Sequence, residues 1–177
     1  MKLLLSGLLL LTAACSSETK PAAADPTLIT HNDFEAALGW AADPDAVSKV
    51  QAHSGRYSIF VDRTREFSLT FNAPLYRTVS FRPRSIAVEA WVYLTDDNST
   101  AQLGVQLVKS ATDNTELFGD GIKLQEAAKV HKKWVKVNKT IVLPDSVKPT
   151  QHLKVFLWRS NATSPVYVDD ITLRAVE

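Results

Sequence analysis

The chain has 177 residues, room for one domain of ordinary size beside a short leader. A formal charge of +1, with 45% apolar and 22% charged residues, gives no support to nucleic-acid binding, which calls for a broad basic face, and excludes a disordered or collagenous composition. The single cysteine, Cys15, excludes an intramolecular disulfide framework and a cysteine-based zinc cluster.

The first predicted element is an address. Lys2 gives a positive start, and residues 3–11 form an apolar run of signal-peptide length. The run is too short to cross a bilayer, which needs about 20 apolar residues. It ends in Leu11-Thr12-Ala13-Ala14-Cys15. Small residues before a cysteine resemble the lipobox of bacterial lipoproteins, although Thr12 stands where leucine is most frequent. The resemblance implies a signal peptide over residues 1–14 and lipidation of Cys15, with more than one acyl chain giving stable anchoring. Ser16 in place of an aspartate then points to the outer membrane or cell surface. Residues 15–27 (CSSETKPAAADPT) are small, polar and proline-containing. They cannot bury enough apolar surface to offset the entropy of ordering, so they read as a tether.

From residue 28 to 177 the apolar period is two, which predicts strands. The clearest is 85–94, with Ile86, Val88, Ala90, Val92 and Leu94 inward and Ala87, Glu89, Trp91 and Tyr93 outward. The turn cluster Asp96-Asp97-Asn98-Ser99 follows. Residues 101–109 form the next strand, with Leu103, Val105 and Leu107 inward and Gln102, Gln106 and Val108 outward. Leu153, Val155 and Leu157 alternate with Lys154, Phe156 and Trp158 near the end. Further strands are predicted at 56–62, 67–72, 134–142 and 166–173, and a short helical turn within 123–132. Many short strands between turn clusters predict an all-β sandwich or barrel.

Two ends of this domain carry a resemblance. Asn32-Asp33-Phe34-Glu35, Gly39-Trp40 and His53-Ser54-Gly55-Arg56-Tyr57-Ser58 stand near its start, and Val166-Tyr167-Val168-Asp169-Asp170-Ile171-Thr172-Leu173 at its end. Their order resembles the galactose-binding-like jelly rolls, especially the calcium-containing carbohydrate-binding modules. That implies an antiparallel two-sheet jelly-roll β-sandwich, with first and last strands side by side. It also implies a structural calcium ion held by Glu35, Asp169 or Asp170 and backbone oxygens near residues 54–57. Calcium takes six to eight oxygen ligands, so such a mixture suits it.

The outward residues of three strands nominate a ligand site: Glu89, Trp91 and Tyr93; Gln102 and Gln106; Lys154, Phe156 and Trp158. A solvated sheet face normally carries Thr, Lys, Glu and Ser. Here rings alternate with amides and charges, so that flat aromatics can stack on the C–H face of a sugar while polar groups bond its hydroxyls. The competing reading packs the same rings under a loop or into the core, because a one-residue register error reverses every side chain. Trp40 and Trp134, near strand ends, are expected to plug the sandwich.

Lys129, Lys132, Lys133, Lys136, Lys139, Lys148 and Lys154 form a basic cluster. Lysines that guard edge strands explain it better than an anionic-glycan site does. Sequons at Asn98, Asn138 and Asn161 carry no weight in a bacterial lipoprotein. His31, His53, His131 and His152 lack zinc-ligand spacing, and there is neither a phosphate loop nor a GxSxG elbow, so no catalytic residue is nominated. Three readings follow: a surface-tethered lipoprotein that binds carbohydrate without catalysis, a structural or assembly protein of the cell envelope on the same fold, and a glycan lyase or hydrolase. The first fits the residues best.

Overall fold

The structure is a computed structural model and describes residues 25–36, 40 and 44–177. Cys15, the predicted signal sequence and most of the predicted tether lie outside the described residues.

Among the described residues the chain forms β1 (Leu28–Asn32), β2 (Val47–Ser48), β3 (Ser58–Val61), β4 (Phe67–Pro74), β5 (Ser85–Leu94), β6 (Gln102–Val108), β7 (Glu116–Lys123), β8 (Trp134–Val142), β9 (His152–Trp158) and β10 (Val166–Val176). A five-residue helix, α1 (Leu124–Ala128), follows β7. It stops where Lys129 takes a left-handed conformation, with φ of 55°, and its amide donates back to the Gln125 carbonyl.

The strands make two antiparallel sheets. A six-stranded first sheet runs β2-β3-β10-β5-β8, and β1 adds to the edge that β10 shares with β3. A four-stranded second sheet runs β4-β9-β6-β7. The chain crosses between sheets after β3, β4, β5, β7, β8 and β9, the weave of a jelly roll. The fold is therefore an all-β, two-sheet antiparallel sandwich of the galactose-binding-like kind.

Alternation decides which face each strand buries. In β5 the five residues from Ile86 to Leu94 predicted to face inward are all buried, and Trp91 and Tyr93 turn outward. Leu103, Val105 and Leu107 of β6 and Leu153, Val155 and Leu157 of β9 meet them from the second sheet with no exposed surface. Each such side chain contributes roughly 1.5–3 kcal/mol. Trp40 closes one end, its ring 5.3 Å from Phe34 and 5.9 Å from Phe71. Trp134 does not plug the sandwich. It opens β8 on the outer face of the first sheet, opposite Tyr93, because its register matches the outward set of β5. Val108, expected outward, is buried, since the β6–β7 pairing shifts register beside it.

The strand β7 was not anticipated, because two glycines and two charges interrupt its pattern (ELFGDGIK). Its inward acid, Asp120, stands opposite Val105, where a carboxylate needs a partner. Lys139 of β8 supplies one across the open edge of the sandwich, at 2.7 Å, and also donates to the Gly121 carbonyl at 2.9 Å. Burial would raise the Asp120 pKa, but the Lys139 hydrogen bond holds it below the ordinary carboxylate value.

Candidate functional site

The outer face of the second sheet is a cleft of about 860 Å³. Strand register builds it in three rows. Phe67, Trp158 and Gln102 form one row on β4, β9 and β6. Thr70, Phe156 and Gly104 form the next, completed by Gly121 on β7. Asn72, Lys154 and Gln106 form the third, completed by Gly119.

Glycine shapes the floor. A Cβ on Gly104 would sit 2.8 Å from the Phe156 ring, so only glycine lets that ring lie down against β6. A Cβ on Gly121 would meet the Leu103 carbonyl oxygen at 2.5 Å. The Phe67 ring stands 5.8 Å from Phe156 and is nearly parallel to Trp158, at 6.5 Å and 16°. Phe67 is 49% exposed, an apolar ring offered to solvent from the end of a strand. Polar groups line the remainder: Gln106 Nε2 donates to Glu116 Oε2 at 2.5 Å, and Lys154 Nζ to Asn114 Oδ1 at 2.6 Å. Aromatic faces beside fixed amides and charges make a surface that can stack a flat apolar face and bond a polar rim.

The structure brings together Gln102, Gln106, Lys154, Phe156 and Trp158, and it does not bring Glu89, Trp91 and Tyr93 to them. Those three project from β5, in the other sheet, on the opposite side of the molecule. The single platform expected from three strands is thus two separate faces, because alternation fixes the side of a strand and not the sheet it joins. On the first sheet, Phe60, Tyr167, Tyr93 and Trp134 line up across β3, β10, β5 and β8. Trp91 lies one row on, covered by the His53 ring, which stacks on it at 3.8 Å. Glu89 pairs with Lys136 at 2.7 Å.

Phe67, Thr70, Gly104, Asn114, Glu116 and Gly119 also line the cleft and were not nominated. The glycines at alternate positions of β7 were the available signal, since a glycine inside a strand marks close approach of another group.

The carboxylates proposed for calcium lie at one junction. The edge partner of β10 changes there from β3 to β1, beside an irregularity between Asp169 and Thr172 in which Asp170 has φ of +48°. The loop before β3 is held from both sides. Asp169 Oδ2 accepts from the amides of His53 (2.8 Å) and Ser54 (3.1 Å), and its Oδ1 from the amide of Asp170 (2.8 Å). Glu35 Oε1 accepts from the amides of Arg56 (2.6 Å) and Tyr57 (2.9 Å). Asp170 bonds the Ser54 hydroxyl at 2.7 Å and the His53 ring at 2.5 Å. Burial pushes the Asp169 carboxyl up to about 6, against the pull of those three amides. Among the described residues no three His, Cys, Asp or Glu side chains converge as a metal cluster. The oxygen donors at this junction are hard and anionic, of the class calcium takes, but their carboxylates here accept backbone amides.

No family model matches the chain, and no curated protein matches it. Solved structures do. The C-terminal family 22 carbohydrate-binding module of a Clostridium thermocellum protein superposes with a TM-score of 0.56 at 15% identity, over 88% of this chain and 96% of that one. A xylan-binding domain of the same module family superposes at 0.57 and 16% identity, over 85% and 96%. A CBM22-1 xylan-binding domain from Paenibacillus barcinonensis gives 0.53 and 17%, over 88% and 99%. At these identities the likeness is one of fold: the chain has the jelly roll of the carbohydrate-binding modules.

Proposed function

We propose that this domain binds a polysaccharide along the cleft of its second sheet, without catalysis. The observation that supports this best is the line Phe67, Trp158 and Phe156 over the Gly104 floor, flanked by Gln102, Gln106, Asn114 and Lys154. The cleft lies across the open face of a sheet, suiting an internal stretch of chain. Of the two acidic residues at its lining, Glu116 and Asp120, the second turns its carboxylate inward to Lys139. Glycoside hydrolysis asks for a pair of working acids, and this geometry does not favour one. Affinity gel electrophoresis against a panel of soluble polysaccharides tests the reading. Xylan heads the panel because structures of this fold include xylan-binding domains. Binding to none of them would refute it.

Two further parts of the reading concern its setting. Lipidation of Cys15 would hold the domain at the outer membrane or cell surface through residues 15–27. Replacing Cys15 with serine is expected to move the protein from the membrane to the soluble fraction, and unchanged fractionation removes the anchor from the proposal. Calcium at the Glu35, Asp169 and Asp170 junction would be structural, tying the first and last strands to the loop of residues 53–57. Millimolar calcium is then expected to raise Tm by several degrees in an EDTA-reversible way, as for any ligand that binds only the folded state. A melting curve indifferent to both additions rejects the ion.

A specific observation favours one other reading, an envelope assembly protein. The aromatic row Phe60, Tyr167, Tyr93 and Trp134 on the first sheet suits a protein partner. Loss of that partner in Trp134→Ala, in a domain that binds no polysaccharide, would favour it.

A further inference from the structure

Lys154 is not explained by its surroundings. Lysines commonly guard sheet edges, and Lys136 and Lys139 do stand on β8, at the edge of the first sheet. Lys154 stands on β9, an interior strand paired with β4 on one side and β6 on the other, so it has no edge to protect. Its cross-strand neighbours are two neutral amides, Asn72 and Gln106, and its ammonium bonds a third, Asn114. No Asp or Glu among the described residues forms an ion pair with it. Glu116, on the opposite wall, is bound by the Gln106 amide and folds over Gly119, its Oε1 2.6 Å from where a Cβ would be.

A second cation, Arg77, acts together with Lys154 on the neighbouring His152. Arg77 stacks on Tyr76 and makes no ion pair among the described residues. Burial, then the charges of Lys154 and Arg77, hold the His152 imidazole below its ordinary pKa. The ring's Nδ1 donates to Asn72 Oδ1 at 2.8 Å. The cleft is thus divided along its length. Rings occupy the Trp158 end, and a cation held by amides rather than by an ion pair occupies the Lys154 end. A neutral glycan would use the first half and leave the charge of the second unmatched.

We propose that the cleft selects polysaccharides that carry carboxylate groups, and that Lys154 receives the carboxylate. This rests on the reading of the cleft as a polysaccharide site. Rings at one end hold the sugar backbone, and the cation at the other discriminates a uronate from a neutral sugar.

The test compares glucuronoxylan, polygalacturonate and alginate with the carboxyl-reduced form of each, and with neutral xylan, by affinity gel electrophoresis of the full chain. One partly exposed ion pair favours an acidic polymer over its reduced form by up to about fivefold. The expected result is that preference for at least one acidic polymer, its decline towards unity in Lys154→Gln, and its retention in Lys154→Arg. Rising salt should weaken binding to the acidic form more than to the reduced one. Equal affinity for the acidic and reduced forms, or a preference that survives in Lys154→Gln, overturns the inference while leaving polysaccharide binding intact. Failure to bind any polymer, neutral or acidic, overturns the underlying reading instead.

Discussion

Trp158→Ala is expected to weaken polysaccharide binding by roughly thirtyfold and to leave the domain folded. The indole projects from an interior strand into the cleft, half-buried, beside Phe67 and Phe156. Its one hydrogen bond, from Nε1 to Glu66, is long at 3.4 Å, so the ring owes little of its position to polar contacts. Central aromatic anchors of this kind cost about 2 kcal/mol or more when truncated, and 2 kcal/mol corresponds to about thirtyfold in affinity. The core-facing neighbours Val155 and Leu157 are untouched, so the melting temperature should fall by only a few degrees. Titration calorimetry with any bound polysaccharide, alongside a thermal melt, separates the two effects. Trp91→Ala, on the opposite sheet, serves as the control and should keep its affinity. Matched affinities for the wild type and Trp158→Ala would move the site elsewhere.

Asp169→Ala is expected to be the most destabilising polar substitution, by about 3 kcal/mol. Asp169 has no exposed surface, and its carboxylate accepts from three backbone amides, those of His53, Ser54 and Asp170. Each buried donor left without an acceptor costs about 1–3 kcal/mol, and partial rehydration of the loop offsets some of the sum. A loss of that size is a large share of the 5–15 kcal/mol typical of a domain and lowers Tm by roughly 10 °C. Asp169→Asn keeps one acceptor oxygen and should lose about half as much. Urea denaturation gives both values. A loss below about 0.5 kcal/mol for alanine, the range of an ordinary surface change, would mean that the loop does not depend on this carboxylate.

The inward set of β5 and the bounds of β8 were legible, because a strand with one buried face writes its orientation into alternate residues; the jelly roll was legible only through the resemblance carried by the motifs at the two ends of the domain. The cleft was legible only in part. Phe156 and Trp158 could be assigned to the outward side of β9, yet nothing in their spacing says that β9 pairs with β6 rather than with β5. Sheet membership comes from the crossings between layers, a property of the whole chain, so Trp91 and Trp158 read alike and lie on opposite sides. Asp120 and Gly121 hid β7 for another reason: a charged inward residue and glycines break the apolar rhythm, and only Lys139 from the other sheet makes that acid tolerable. The Gly104 floor was hidden too, since the Phe156 ring that fills its space is remote in sequence, and only the alternate glycines of β7 signalled a close approach.

The side-by-side pairing of β1 with β10 places Asp25 against Arg174, and the Thr27 carbonyl against the Ala175 amide. Entry and exit of the described fold therefore emerge together from the sheet that does not carry the cleft. A unit wired in this way can be spliced into a surface loop of a host, or mounted on a support by either end, with little disturbance to itself.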